Sequence, residues 1–485
     1  MNGPIRRLAT ALFLCFTVLL GAVTWIQAVR ADTYRSDPRN ARVAIAQAGK
    51  ERGMIVSADG AVLAESVPDE DDPRRFTREY PLGPVFAHTV GYTSPIVGDG
   101  GLEAAYVDAL RSRRDLTLSD IVAAILGRDL RPRSMRLTLD SRLQQIAYDA
   151  LGDRAGAVVA LDPRTGAVLA SVSKPSFEPT LLGGADAAAN WDQLLQDPGR
   201  PLLDRATREL FPPGSTFKTV VAAAALEAGV AGPDTLFDDP SEFQLPGSTA
   251  TISNFGGGLC GNGSQVDLMR AFVRSCNTVF ADLAIQVGAP DIGFMAEALG
   301  FNRDLDFPLP VAESVFPTAE LENDDAALGQ SGLGERNVRA TPLQMAMVAA
   351  AVANDGVLMQ PYLVDEMFDP DGNTVSRTEP EVLSEAMSPE TAETLTEMME
   401  RVVTEGTGTA ATVPGVRVAG KTGTAEAGQG RSYPWFIGFA PVDDPQIAVA
   451  VMFEPLPAEG TSETGGRVAA PVAAELIRGW LETRD

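Results

Sequence analysis

Phe211-Pro212-Pro213-Gly214-Ser215-Thr216-Phe217-Lys218-Thr219-Val220-Val221 is the stretch from which the rest of the chain can be read. Two prolines and a glycine open a helix, and the alanine-rich run that follows ends at Gly229. On that helix Ser215 and Lys218 stand at i and i+3 and share one face, so the amine can take the hydroxyl proton. The positive helix end lowers the basicity of the amine and favours negative charge developing at Ser215. Only four lysines, Lys50, Lys174, Lys218 and Lys421, occur among 39 basic residues. A lysine retained in so arginine-rich a chain is a candidate for losing its proton, which a guanidinium does not do. Ser171-Val172-Ser173-Lys174 repeats the spacing but reads as a strand running into Pro175, where residues three apart point to opposite faces.

Working outward, Ser275-Cys276-Asn277 falls in a short break between helical runs, and Lys421-Thr422-Gly423-Thr424 lies on an expected strand. Each is weak alone; a serine-x-x-lysine, a serine-x-asparagine and a lysine-threonine-glycine element in this order form a specific combination. The single histidine, His88, is remote in sequence from Ser215, which makes lysine the expected base rather than a Ser-His-Asp arrangement. One histidine and three scattered cysteines, Cys15, Cys260 and Cys276, do not make a nitrogen and sulfur metal site, and no metal or cofactor is expected. A net charge of -26 disfavours nucleic acid as a partner.

Residues 8–29 carry no charge over 22 positions, enough to cross a bilayer core of about 30 Å. Arg6 and Arg7 precede the run, so residues 1–7 are expected in the cytoplasm and everything after Arg30 outside, in a single-pass topology. The competing reading, a cleaved signal peptide, suits a shorter apolar run with a clean small-residue cleavage site. Residues 30–136 form an expected N-terminal segment with a hairpin, Met54-Ile55-Val56 turning at Asp59-Gly60 into Val62-Leu63-Ala64, and a solvated acidic loop over Val67 to Pro73. Thr138-Leu139-Asp140-Ser141 then opens a helix with Leu143, Ile146, Ala147, Ala150 and Leu151 on one face, and a second domain is expected over 137–485. In it a hairpin of Ala157 to Leu161 and Ala167 to Val172, later strands at Val416 to Ala419, Trp435 to Phe439 and Ile447 to Phe453, and a closing helix over Val468 to Leu481 indicate an α/β or α+β fold.

At these residues the chain resembles the class B penicillin-binding proteins, most closely the actinobacterial penicillin-binding protein A type. The resemblance extends to Arg52-Gly53-Met54-Ile55, Tyr80-Pro81, Gly101-Leu102-Glu103, Gly329-Gln330, Thr341-Pro342-Leu343-Gln344 and Trp435-Phe436-Ile437-Gly438-Phe439. It implies an extended N-terminal pedestal and a transpeptidase domain with a central antiparallel sheet between helical layers. It also implies a D,D-transpeptidase of peptidoglycan: Ser215 the acylated nucleophile, Lys218 the base, and Ser275 a proton relay. Asn277 would hold the peptide amide, Lys421 would keep the hydroxyl network electropositive, and Thr422, Gly423 and Thr424 would form the carboxylate-binding strand. The backbone amides of Ser215 and Thr424 would make the oxyanion hole. Implied partners are stem peptides and lipid-linked precursors, β-lactams, the membrane, and a glycosyltransferase or division complex. The rival readings are a D,D-carboxypeptidase or β-lactamase, and a β-lactam sensor or division scaffold without turnover. Intact Lys218, Ser275 and Lys421 disfavour the scaffold, and the few residues before Leu8 leave no cytoplasmic output domain for a sensor. Cys260 and Cys276, both beyond the apolar segment, are expected either to form a disulfide or to be buried free thiols.

Overall fold

Strands whose residues are buried on both faces require a layer of helices on each side, and the centre of this molecule is built that way. The computed structural model describes residues 2–30, 34, 49–69, 72, 75–111, 131–261, 263–456 and 463–482. Five strands, β1 (Gly156–Leu161), β2 (Val168–Lys174), β3 (Ala419–Glu426), β4 (Ser432–Ala440) and β5 (Ile447–Phe453), make one antiparallel sheet in the order β3-β4-β5-β1-β2. The helices that matter for the site are α1 (Ser141–Ala150), α2 (Lys218–Glu227), α3 (Leu268–Arg274), α4 (Asn277–Val287), α5 (Pro342–Ala353), α6 (Pro389–Glu405) and α7 (Gly465–Glu482).

Alternation along the strands sorts side chains into two cores. Val158, Ala160, Val449 and Val451 pack with Leu143 and Ala147 of α1 and Leu476 and Ile477 of α7. Val159, Leu161, Ala448 and Ala450 face the opposite way, into the core that holds Met345 and Val348 of α5 and the apolar body of α2. From Lys218 to Ala225 every residue of α2 is buried, the pattern of a helix surrounded by protein. Caps fix where helices start: Asp140 accepts from Arg142 N and Leu143 N at the head of α1, and Thr341 and Ser388 cap α5 and α6, each ahead of a proline.

The mixed α/β architecture follows the expectation, with shifts at element ends. Strand β3 begins at Ala419 rather than Val416, because Val413 and Val416 bridge each other across a turn with Gly415 at φ +79°. Val67 and Pro68 end a strand instead of opening a loop, paired with Thr77 and Phe76. Glu70, Asp71 and Pro73 lie outside the described residues.

The N-terminal sheet has six strands: Thr374–Arg377, Val364–Phe368, Ser134–Leu137, Ile55–Val56, Val62–Pro68 and Phe76–Glu79, in that order. The expected hairpin is there, with Ile55 opposite Ala64 and Gly60 at φ +86° in its turn. Two of the six strands come from residues 364–377, far along the chain, because Ser134–Leu137 still has an edge to pair after joining Ile55–Val56. A buried ion cluster locks this region: Glu103 receives Arg52 at 2.7 Å and Arg78 at 2.6 Å. The helix Asn2–Ala28, by contrast, is exposed wherever its side chains are described, and its mean hydropathy of 2.1 suits a membrane span.

Candidate active site

Where one continuous helix was expected from Gly214, the structure has a 3-10 turn over Gly214–Phe217, with the α-helix starting at Lys218. At three residues per turn, Ser215 and Lys218 still share a face. Gly214 makes the turn possible, sitting at φ +54° where a Cβ would lie 2.9 Å from Ala425 N on β3. The turn is clamped from both sides. Gly214 N donates to Gly334 O at 3.0 Å, and a Cβ on Gly423 would come within 2.8 Å of Pro213 O. Gly423 is in regular register opposite Trp435, so its lack of a side chain serves close approach to the serine turn and not a bulge.

Ser275 stands at φ +61°, in the left-handed region, at the end of α3. That conformation turns both of its oxygens toward the two buried lysines. Lys218 Nζ donates to Ser275 O at 2.9 Å and Asn277 Oδ1 at 2.7 Å, with Ser275 Oγ at 3.4 Å. Lys421 Nζ donates to the same Ser275 Oγ at 2.9 Å and to Thr422 O at 3.1 Å. Both amines are removed from water, which disfavours the ammonium form. Burial, then repulsion from Lys421, holds the Lys218 amine well below the ordinary lysine range, while burial brings Lys421 down to about 7. Among the described residues no hydrogen bond joins Ser215 Oγ to Lys218 Nζ; the amine takes the carbonyl and amide acceptors instead. Catalytic hydrogen bonds are often loose before substrate arrives.

Ser215, Ser275, Asn277, Thr422, Gly423 and Thr424 all line one cleft of about 940 Å³, with Lys218 and Lys421 beneath it. Thr422 Oγ1 lies 2.6 Å from Thr407 Oγ1, and Thr424 Oγ1 accepts from Gly465 N at 3.3 Å. Cys260 and Cys276 are joined in a disulfide, with Cα atoms 5.9 Å apart, which ties the Ser275-Cys276-Asn277 turn to the preceding loop. Lys174 and His88 are elsewhere: the Lys174 amine donates to Gly152 O at 2.7 Å, and His88 Nε2 pairs with Pro201 O at 2.8 Å. Among the described residues no group of three or more histidine, cysteine or acidic side chains is arranged to hold a metal ion.

Three contributors escaped the sequence reading. Asn254 Oδ1 accepts from Asn277 N at 2.8 Å and Thr278 N at 3.1 Å, capping α4 from another segment. Thr407 supports Thr422, and Glu335 lines the cleft, where burial pushes its carboxyl up to about 7. None of the three follows a local pattern, since each acts across 15 or more residues.

Comparison with known proteins bears on this geometry. Residues 156–478 match the penicillin binding protein transpeptidase domain, and residues 52–134 match the penicillin binding protein A dimerisation domain. The chain is 43% identical to the peptidoglycan D,D-transpeptidase PbpA of Mycolicibacterium smegmatis, over 98% of each chain. It is 40% identical to that of Mycobacterium tuberculosis, over 99% of each. The penicillin G acyl-enzyme of M. tuberculosis penicillin-binding protein A superposes with a TM-score of 0.81 at 39% identity, covering 89% of this chain and all of that one. A D,D-transpeptidase domain from Eggerthella lenta superposes at 0.79 with 40% identity, over 90% of this chain and 99% of that one. With a matched domain spanning most of its length and two buried lysines meeting at one serine beside a third residue of the expected type, the chain belongs to the penicillin-binding protein transpeptidase family.

Proposed function

We propose that the protein is a peptidoglycan D,D-transpeptidase that works through an acyl-enzyme on Ser215 and is a target of β-lactams. The single observation that carries the reading is the shared Ser275 hydroxyl: Lys421 Nζ lies 2.9 Å from it and Lys218 Nζ 3.4 Å, with both amines buried under the cleft that Ser215 lines. Neutral Lys218 takes the Ser215 proton as Oγ attacks the penultimate D-Ala carbonyl of a donor stem peptide. The backbone amides of Ser215 and Thr424 stabilise the oxyanion. Ser275, in contact with both amines, passes a proton to the leaving D-Ala, and Lys421 keeps this network electropositive. Asn277 holds the donor's amide, while Thr422, Gly423 and Thr424 receive its terminal carboxylate. An amine from a second stem peptide then takes the acyl group.

The reading carries an organisation with it. Residues 1–7 are cytoplasmic, 8–29 cross the membrane once, 30–136 form the pedestal and 137–485 the extracytoplasmic transpeptidase domain. The long apolar helix Asn2–Ala28 supports the anchor, and the separate matches over 52–134 and 156–478 support the division. Lipid-linked precursors and a glycosyltransferase or division complex are the partners such a placement calls for.

The test is turnover of a pentapeptide donor ending in D-Ala-D-Ala together with an amine acceptor. Equimolar release of D-Ala and formation of the cross-linked amide is the expected result. D-Ala release with water as the sole acceptor would make the protein a carboxypeptidase instead.

A further inference from the structure

We propose that Glu335 is the acceptor-binding residue, receiving the cationic amine of the second stem peptide and taking its surplus proton before it attacks the acyl-enzyme. The inference rests on the transpeptidase reading and assigns its second half-reaction, for which none of the roles above supplies a proton acceptor at the mouth of the cleft.

Glu335 follows Gly334, whose carbonyl accepts from Gly214 N at 3.0 Å and whose own Cβ, if it had one, would lie 2.2 Å from Gly214 O. Glu335 is therefore held next to the residue that clamps the nucleophile's turn. Its Oε1 accepts from Glu426 N at 3.1 Å, at the end of β3, so the carboxylate stands at the edge of the strand that carries Thr422 to Thr424. It lines the same cleft as Ser215 and is partly exposed there.

Its surroundings leave it available. The charged groups that act on it are Lys218 from α2, Glu426 from β3 and Arg339 from its own segment. Arg336 and Arg431 share the cleft, but the Arg336 guanidinium turns to Gln330 and Asp324. Arg339 donates to the carbonyls of Arg336 and Val338. Burial and the neighbouring Glu426 bring the Glu335 carboxyl up to about 7, so near neutrality it can both attract an ammonium and accept its proton.

The step balances. The acceptor ammonium gives one proton to the Glu335 carboxylate and becomes a neutral amine. Its nitrogen bonds to the acyl carbon as the bond from that carbon to Ser215 Oγ breaks. The second proton leaves the nitrogen for neutral Lys218, which returns a proton to Oγ. The products are a new amide, free Ser215 and protonated Glu335.

The test is Glu335→Gln, whose amide oxygen can keep the bond from Glu426 N while losing the charge. With a D,D-peptide thioester donor and a peptide acceptor bearing a free side-chain amine, the aminolysis-to-hydrolysis ratio is measured across acceptor concentration and pH. In the wild type the ratio rises as pH passes upward through about 7. In Glu335→Gln it should fall about tenfold, with a raised acceptor KM and a flattened pH profile. Glu335→Asp, which keeps the charge, should retain that profile. Full stoichiometric labelling of Glu335→Gln by fluorescent penicillin shows that the nucleophile is still in place. An unchanged ratio and KM would overturn the proposal, as would failure of the folded variant to label, which would assign Glu335 to the first half-reaction. Absence of any wild-type labelling would instead strike at the transpeptidase reading itself.

Discussion

Lys218 and Lys421 are both fully buried and both reach Ser275 Oγ, a space in which two ammonium groups repel each other strongly. Burial lowers both amines and Lys421 repels Lys218 as well, so Lys218 is the one driven to the neutral form that acts as base, while the charge on Lys421 holds the hydroxyl network. Acylation by penicillin should accordingly slow on acidification, by about tenfold per pH unit once Lys218 is being protonated, and a rate that stays flat as the pH is lowered until the protein unfolds would refute this assignment. Lys218→Arg keeps the charge but cannot give up its proton, so it should abolish acylation in a protein that still folds, as circular dichroism would register. Lys174→Arg should acylate at near the wild-type rate, because Lys174 holds Gly152 O and lies over the Tyr148 ring, away from the cleft. The reverse pattern would place the base in the wrong helix. The rarity of lysine and the three spaced elements made Ser215, Lys218, Ser275, Asn277 and Lys421 legible in the sequence. Glu335 and Asn254 were not, since a glutamate in a loop and an asparagine after a short strand acquire meaning only through partners that the fold brings to them.

At the scale of elements, the turn that carries Ser275 and Asn277 is short and held from outside. The disulfide links Cys276 to Cys260, and Asp239 fixes the far side by accepting from Cys260 N at 3.0 Å and Gly261 N at 2.6 Å. Closing a loop with a sequence separation of 16 can contribute about 3 kcal/mol by restricting the unfolded chain. Asn254 still caps α4 when the bond is cut, so the fold should persist while Ser275 drifts. Cys260→Ser is thus expected to slow acylation about tenfold while the melting temperature falls by roughly 5 °C, measured by label incorporation and calorimetry on the same sample. A large thermal loss with an unchanged acylation rate would make the bond purely structural. Strand and helix identities were readable because β1 and β5 are short continuous apolar runs, buried along their whole length, and caps mark α1 and α5. The 3-10 turn at Ser215 was hidden, because it depends on Gly214, Gly334 and Gly423 meeting across more than a hundred residues.

For the whole molecule, the N-terminal sheet is completed by chain that comes much later in the sequence. Residues 364–377 add two strands to a sheet otherwise built before residue 138. Pairing across that distance leaves no periodic trace to read. The pedestal's centre is Glu103, fully buried between Arg52 and Arg78. Glu103→Gln would take the buried counter-charge from Arg78 and leave Arg52 with Asp99 alone, and should cost about 3 kcal/mol, visible as a lower denaturant midpoint, while the folded fraction still acylates. A neutral effect on stability would show that water reaches the cluster. Every acylation readout above depends on Ser215 being the residue that takes the acyl group. The most direct measurement is intact-mass and peptide mapping of the purified protein after brief exposure to penicillin. The account predicts a single adduct, on the peptide that contains Ser215, absent from Ser215→Ala; an adduct on any other residue, or one that persists in that variant, would contradict it.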